Sequence, residues 1–303
     1  LIDNEKHDNP VLDATYFITG DLGRKLFSSA GLEFDVLFEK AAQPDFEPIG
    51  LDTKLSLSLT SEKTAIETQN VVGKISGSDS QLKNEAIIFT AHYDHLGIGK
   101  PVNGDSIYNG ANDNASGVAM MLAVAKAMSS LEQKPARSIY FAAVGAEEAL
   151  LLGSEYLSQH PPIPIEKFRC CINYDGVSPR GRTEDVVFLG AEKTPFQHVF
   201  NSAAERVGVD VAANPLPRQG FYFRSDQYSF VKEGVPGVWI RSGLTYQGHD
   251  LEWGLKKYAE YRKQHYHQPS DEYSEDWDLT GAEQLAKAGF WSAWLIANQG
   301  VSD

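Results

Sequence analysis

Sulfur is scarce in this chain, which carries two cysteines and three methionines in 303 residues. Cys170 and Cys171 are adjacent inside an apolar run, and neighbouring side chains on a strand point to opposite faces. They therefore read as buried thiols rather than a disulfide or a thiolate metal pair, and they leave the compartment open. Basic charge is also short. Against 41 Asp and Glu there are 27 Lys and Arg, a formal net charge of −14, which argues against nucleic acid or an anionic membrane surface as partner. No apolar run approaches the roughly 20 residues of a membrane span. No stretch reads as a signal peptide, and because the chain starts at Leu1 rather than Met, the expectation is a processed or truncated N-terminus from which a targeting segment has gone.

What is present is ordinary for a soluble globular protein, with 42% hydrophobic and 22% charged residues and enough length for a large core. Residues 1 to about 70 carry no concentrated chemistry; 13–18 reads as a strand and 20–30 as a short helix closed by Gly31. From Leu55 the alternation Leu-Ser-Leu-Ser-Leu-Thr predicts a half-exposed strand, followed by a second over 71–75. From Ala86 the rhythm changes. Apolar runs at 86–91, 138–144, 170–175 and 235–240 are separated by helical patterns near 118–128, 152–157, 195–207 and 280–298. That interleaving predicts an α/β fold with substantial parallel pairing, in a main region of residues 55–303 preceded by an N-terminal segment, 1–54.

The chemistry sits at the ends of the predicted strands. His92, the pair Glu147-Glu148, and Asp175 each follow an apolar run, and in a parallel sheet those ends share one edge. Asp113 lies in a Gly- and Asn-rich loop just before a helix, and His267 lies late in the chain beside a second imidazole, His265. Two imidazoles and three carboxylates, with one Glu to spare and no thiolate, suit zinc, with manganese or cobalt as substitutes. Five ligands exceed one tetrahedral ion and suit two ions sharing a carboxylate, roughly 3.5–4 Å apart. His95, His160, His198 and His249 read as structural hydrogen-bonding residues.

His92-Tyr93-Asp94, Asn112-Asp113-Asn114-Ala115-Ser116-Gly117, Glu147-Glu148, Asn173-Tyr174-Asp175, Arg224-Ser225-Asp226 and His267-Gln268-Pro269-Ser270-Asp271 occur in the order and spacing of the M28 zinc aminopeptidases, which residues 67 to 297 resemble. The resemblance implies a three-layer α/β/α sandwich around a mixed, largely parallel eight-stranded sheet and two Zn²⁺ ions. It makes Asp113 the bridging ligand, His92 and Asp175 the rest of one site, Glu148 and His267 the other. His267 is preferred to His265 because it has the family's Asp four residues on. Glu147 becomes the general base, Asp94 orients His92 from behind, and Tyr222 falls near the oxyanion. The implied activity is removal of the N-terminal residue from peptides with a free N-terminus, and secretion or periplasmic residence is expected by resemblance alone. The first 70 residues resemble the end of a protease-associated insert. Alternatives on the same fold are a one-zinc glutaminyl cyclase and a carboxypeptidase for acidic C-termini, which needs a basic pocket that Arg218, Arg224 and Arg241 can supply. A binding domain with a dead site is the non-enzyme rival.

Overall fold

The computed structural model describes residues 17–300 except positions 55, 57, 59, 61–64 and 66. It divides into two compact units, 1–66 and 67–303, so the division falls later than the boundary at 54/55. The strand expected over 13–18 lies largely outside the described residues, as does every second position of the alternating stretch 55–60. In the first unit, α1 (Gly20–Ser29) opens where the Thr19 hydroxyl accepts the Leu22 N–H, an N-cap interaction. A tight turn leads to α2 (Phe34–Lys40), with Phe27 and Phe34 packed edge to face between them.

The second unit is built on a seven-stranded sheet. Its strands are β1 (Val71–Ile75), β2 (Ala86–His92), β5 (Ser138–Val144), β6 (Phe168–Asn173), β7 (Asp185–Leu189), β8 (Asp210–Val211) and β9 (Gly237–Ser242), in the order β1-β5-β2-β6-β9-β7-β8. The four central strands β5, β2, β6 and β9 are mutually parallel; β1 and β7 join antiparallel. Among the described residues the sheet thus has seven strands, not eight. Two further strands, β3 (Gly97–Val102) and β4 (Asp105–Tyr108), form a separate hairpin within the Gly- and Asn-rich stretch read from sequence as a loop.

Strands β2 and β5 are apolar along their length because both faces are covered, the signature of parallel pairing. One face is covered by α3 (Ser116–Ser129), α5 (Gln197–Val207) and α8 (Thr280–Asn298), which with Phe89, Phe141, Ile172 and Tyr174 make the main core. The opposite face packs Ile88, Tyr140 and Cys171 against α4 (Leu152–Gln159) and α6 (Gln227–Lys232). Cys170 and Cys171 are buried free thiols, one in each core, as the strand's alternation requires. The last helix before α8 is α7 (Leu251–Gln264). No helix among the described residues is long and apolar enough to cross a membrane.

Candidate metal centre

Parallel pairing puts the ends of the central strands side by side. His92 closes β2 in register with Val144 at the end of β5, and Thr90 is in register with Asn173 at the end of β6. The residues that follow, Glu147-Glu148 and Asp175, are delivered to that same edge. There His92 Nε2 lies 3.3 Å from Asp113 Oδ1, 3.5 Å from Asp175 Oδ1 and 4.0 Å from Glu147 Oε2. On the other side of Asp113, His267 Nε2 lies 3.3 Å from Asp113 Oδ2 and 3.3 Å from Glu148 Oε2. Asp113 therefore turns one oxygen toward each imidazole.

Each side chain is fixed by local structure. The Asp113 loop has its backbone N–H groups at Asn112 and Asp113 held by the Asp271 carboxylate at 3.0–3.2 Å, and the Asp113–Asn114 peptide is cis. Asn114 is buried; its side-chain oxygen accepts the N–H groups of Gly117 and Gly176, while its amide donates to Tyr174 O. A Cβ at Gly117 would stand 2.1 Å from Asn114 Oδ1 and 2.7 Å from Tyr174 O, so only glycine fits under this lock. Asp175 ends a relay in which Thr90 Oγ1 donates to Asn173, Asn173 Nδ2 to Ser225 Oγ, and Ser225 Oγ to Asp175 Oδ2 at 2.6 Å. Beyond β5 the chain turns at Ala146, whose φ of 55° is left-handed, and this aims the N–H groups of Glu147 and Glu148 at the Asp94 carboxylate, 3.1 and 3.2 Å away.

Asp94 has a second job beside the one expected of it. It meets the His92 Nδ1 through its backbone carbonyl at 3.2 Å, while its carboxylate, 3.8 Å from that nitrogen at its nearest, positions the Glu147-Glu148 backbone. Tyr222 also departs from expectation. Its ring fills the space beside Gly190 and packs on Phe223 and Tyr228, and it is its neighbour Phe221 that lines the cavity over the cluster. His265, the rival to His267, turns its Nδ1 to Ser270 O at 2.9 Å. His95, read as structural, stands in the cluster instead, with Nδ1 2.9 Å from Glu148 Oε1 and its ring 5.5 Å from that of His267. Its signal in the sequence was its place in the His92-Tyr93-Asp94-His95 run at the same strand end. Asp226, quoted for its motif alone, is fully buried behind the site.

The electrostatics are those of a cation site. Burial alone would raise Asp113, but the nearby His267 and His92 imidazoles outweigh it and hold the carboxyl below the usual range. Glu148, likewise opposed by burial, is brought down to about 2 by His267 and His95. Burial would lower both imidazoles, yet the carboxylates raise His92 well above its ordinary value and His267 to about 9. Glu147 goes the other way, pushed up to about 10 by burial and by Asp175. Two groups of donors converge to within 4.8 Å: His92, Asp113 and Asp175, and His95, Asp113 and Glu148, with Asp113 common to both. The buried nitrogens His92 Nε2 and His95 Nε2 have no hydrogen-bond partner. Lone pairs without donors among so many carboxylates fit divalent cations, and an all-nitrogen-and-oxygen set fits zinc.

Several known proteins resemble this chain. Aminopeptidase YwaD of Bacillus subtilis is 29% identical over 148 residues, 47% of this chain and 30% of that protein. A vacuolar membrane protease of Yarrowia lipolytica is 26% identical over 243 residues, 77% of this chain and 21% of the relative. The chain thus spans between about a fifth and a third of the length of these relatives. Among solved structures, the zinc aminopeptidase BSAP from Bacillus subtilis superposes with a TM-score of 0.56 at 22% identity, covering 78% of this chain and 52% of that one. The glutaminyl cyclase of Porphyromonas gingivalis gives 0.50 at 16% identity, covering 74% and 76%. At these identities the structural likeness establishes the mixed, largely parallel α/β fold. The model of peptidase family M28 matches residues 70–289, well over half the sequence, and the chain belongs to that family.

Proposed function

We infer that the chain is a zinc aminopeptidase with a two-ion centre, acting on peptides with a free N-terminus. The observation that supports this most is the position of Asp113, with one carboxylate oxygen 3.3 Å from His92 and the other 3.3 Å from His267. His92, Asp113 and Asp175 would hold one ion. Asp113, Glu148 and His267 would hold the other, with His95 on the second oxygen of Glu148. Bound there, zinc supplies Lewis acidity and a water that ionises near neutrality.

The chain's own contribution is proton handling and position. Glu147 is largely sheltered and, among the described residues, pairs with no cationic side chain beyond its 4.0 Å approach to His92, so its Oε2 is free to accept the attacking water's proton. Its elevated proton affinity in the metal-free cluster falls when cations replace the protons nearby, which brings it toward the range of a general base. Glu147 then returns the proton to the leaving amine. The Asp94 carboxylate holds the backbone of Glu147 and Glu148, so that base and ligand stay in register.

Metal analysis and one pair of substrates test this reading. Two zincs per chain and release of the first residue from a free peptide, with loss of release after N-acetylation or chelation, are expected. One zinc per chain with cyclisation of an N-terminal glutamine would favour the glutaminyl cyclase reading, and cleavage of the N-acetylated peptide from its C-terminus the carboxypeptidase reading.

A further inference from the structure

The cavity over the cluster, about 150 Å³, is segregated by charge. Its four carboxylates, Asp113, Glu147, Glu148 and Asp175, all belong to the cluster; the rest of the lining carries no acid but contains Arg180, Arg224, Arg241 and Arg262. In a chain with a formal net charge of −14, a wall with four arginines and no acid is a local reversal of the average.

Arg241 is the most committed of the four. Side chains two apart on a strand share a face. On β9, Val238 and Ile240 enter the main core, while Trp239 and Arg241 face the cavity. The guanidinium lies 4.2 Å from the Phe221 ring centroid and 4.5 Å from that of Trp239. The side chain is half-buried; burial pulls its pKa below the ordinary arginine value, opposed by a hydrogen bond to the Tyr258 side chain and by the charge of Asp175, yet no carboxylate among the described residues lies within ion-pair distance of it. Beside it, the Trp239 Nε1–H, which can only donate, is buried without an acceptor. A sheltered cation lacking a counter-ion and a buried donor lacking an acceptor are both unfavourable. An anionic acceptor seated at this end of the cavity supplies what both lack.

We propose that the arginine end of the cavity is the specificity pocket for a carboxylate of the peptide substrate, with Arg241 as its anchor and Trp239 and Phe221 as its walls. The inference rests on the peptidase reading above and adds the substrate class to it. Such a carboxylate has two sources in a short peptide, the side chain of an N-terminal aspartate or glutamate, or the C-terminal α-carboxylate of a dipeptide.

Three peptides separate these sources: Glu-Gly-amide has only the side-chain carboxylate, Gln-Gly only the terminal one, and Gln-Gly-amide neither. Their binding to zinc-loaded Glu147→Gln protein is read by calorimetry, and their hydrolysis by the parent protein is read as kcat/KM. A charge-assisted hydrogen bond corresponds to about 10–100-fold in affinity. One of the two acidic peptides is expected to bind that much more tightly than Gln-Gly-amide, and which one identifies the source. Arg241→Met should abolish the preference. Should that variant not fold, Trp239→Phe, which keeps the ring and removes the donor, should reduce it by several-fold. Equal binding of all three peptides, or a preference that survives Arg241→Met, overturns the proposal. Selective binding of an acidic peptide with hydrolysis of none of the three would instead overturn the peptidase reading and leave the carboxylate pocket standing.

Discussion

At the scale of single residues, the cluster separates groups that hold cations from the one that moves a proton. Glu147 and Glu148 are adjacent, yet Glu148 has two imidazoles near its oxygens and is held low against burial, while Glu147 is held high by burial and by Asp175. Glu147→Gln should therefore keep its zinc, measured by elemental analysis, and lose roughly 10²–10⁴-fold in kcat. Full activity in that variant would remove Glu147 from the mechanism. The two imidazoles near Glu148 are separable in the same way. Within 4.0 Å, His267 meets both Asp113 and Glu148, whereas His95 meets Glu148, with Asp113 lying farther off but within 4.8 Å. His267→Ala is expected to drop the zinc content from two to one. His95→Ala is expected to retain two ions with weaker affinity for the second, on the order of 10–100-fold, the size typical of a residue that orients a ligand. The reverse pattern would make His95 the ligand.

At the scale of elements, what was legible in the sequence is what repeats along a strand or helix. The bounds of β5 and α8 coincide with the apolar run at 138–144 and the helical pattern at 280–298, because burial on one or both faces writes itself into residue choice, and those of the largely exposed β1 coincide with the strand read at 71–75. Strand β8 went unread because two residues are too short for a period to show, and the hairpin β3–β4 because its residues are mostly exposed and no buried face marks them; β7 was missed although its run is apolar. The ligands were legible by position, at the ends of readable strands. Their supports were not. That Asp94 serves the Glu147-Glu148 backbone, that Asp271 clamps the Asp113 loop, and that Tyr222 turns away to Gly190 depend on loop paths that carry no periodicity. The Asn114 lock gives a prediction at this scale. Gly117→Ala forces a methyl into Asn114 Oδ1 and Tyr174 O, neither of which is the free end of a flexible chain. A cost of about 1–3 kcal/mol is expected, with a lower thermal midpoint in the metal-free protein and weaker zinc binding, since the same loop carries Asp113. An unchanged midpoint would mean that the loop relaxes independently of α3.

At the scale of the whole molecule, the cluster makes stability depend on pH in opposite senses with and without metal. In the metal-free protein, His267 is raised to about 9 and Glu147 to about 10, and burial raises Asp226 as well. Each folded pKa lies above its unfolded value, so the folded state binds more protons than the unfolded chain between the two. The contribution of these groups to stability is fully present below the unfolded value and falls as pH rises through the folded one. Asp113 and Glu148 are lowered, so their contribution is present above the ordinary carboxylate range and is lost only in acid. The metal-free protein is therefore expected to be most stable in mildly acidic solution and to weaken steadily from about pH 5 to 10. Zinc takes the place of those protons and binds only deprotonated ligands, so acid competes it away and alkali does not. The gain in thermal midpoint on adding zinc should accordingly widen between pH 5 and pH 9, read by parallel melts with zinc and with a chelator. If the gain instead narrows over that range, the raised groups are not part of the cation site, and the imidazole and carboxylate pairs at the strand ends stabilise the fold without metal.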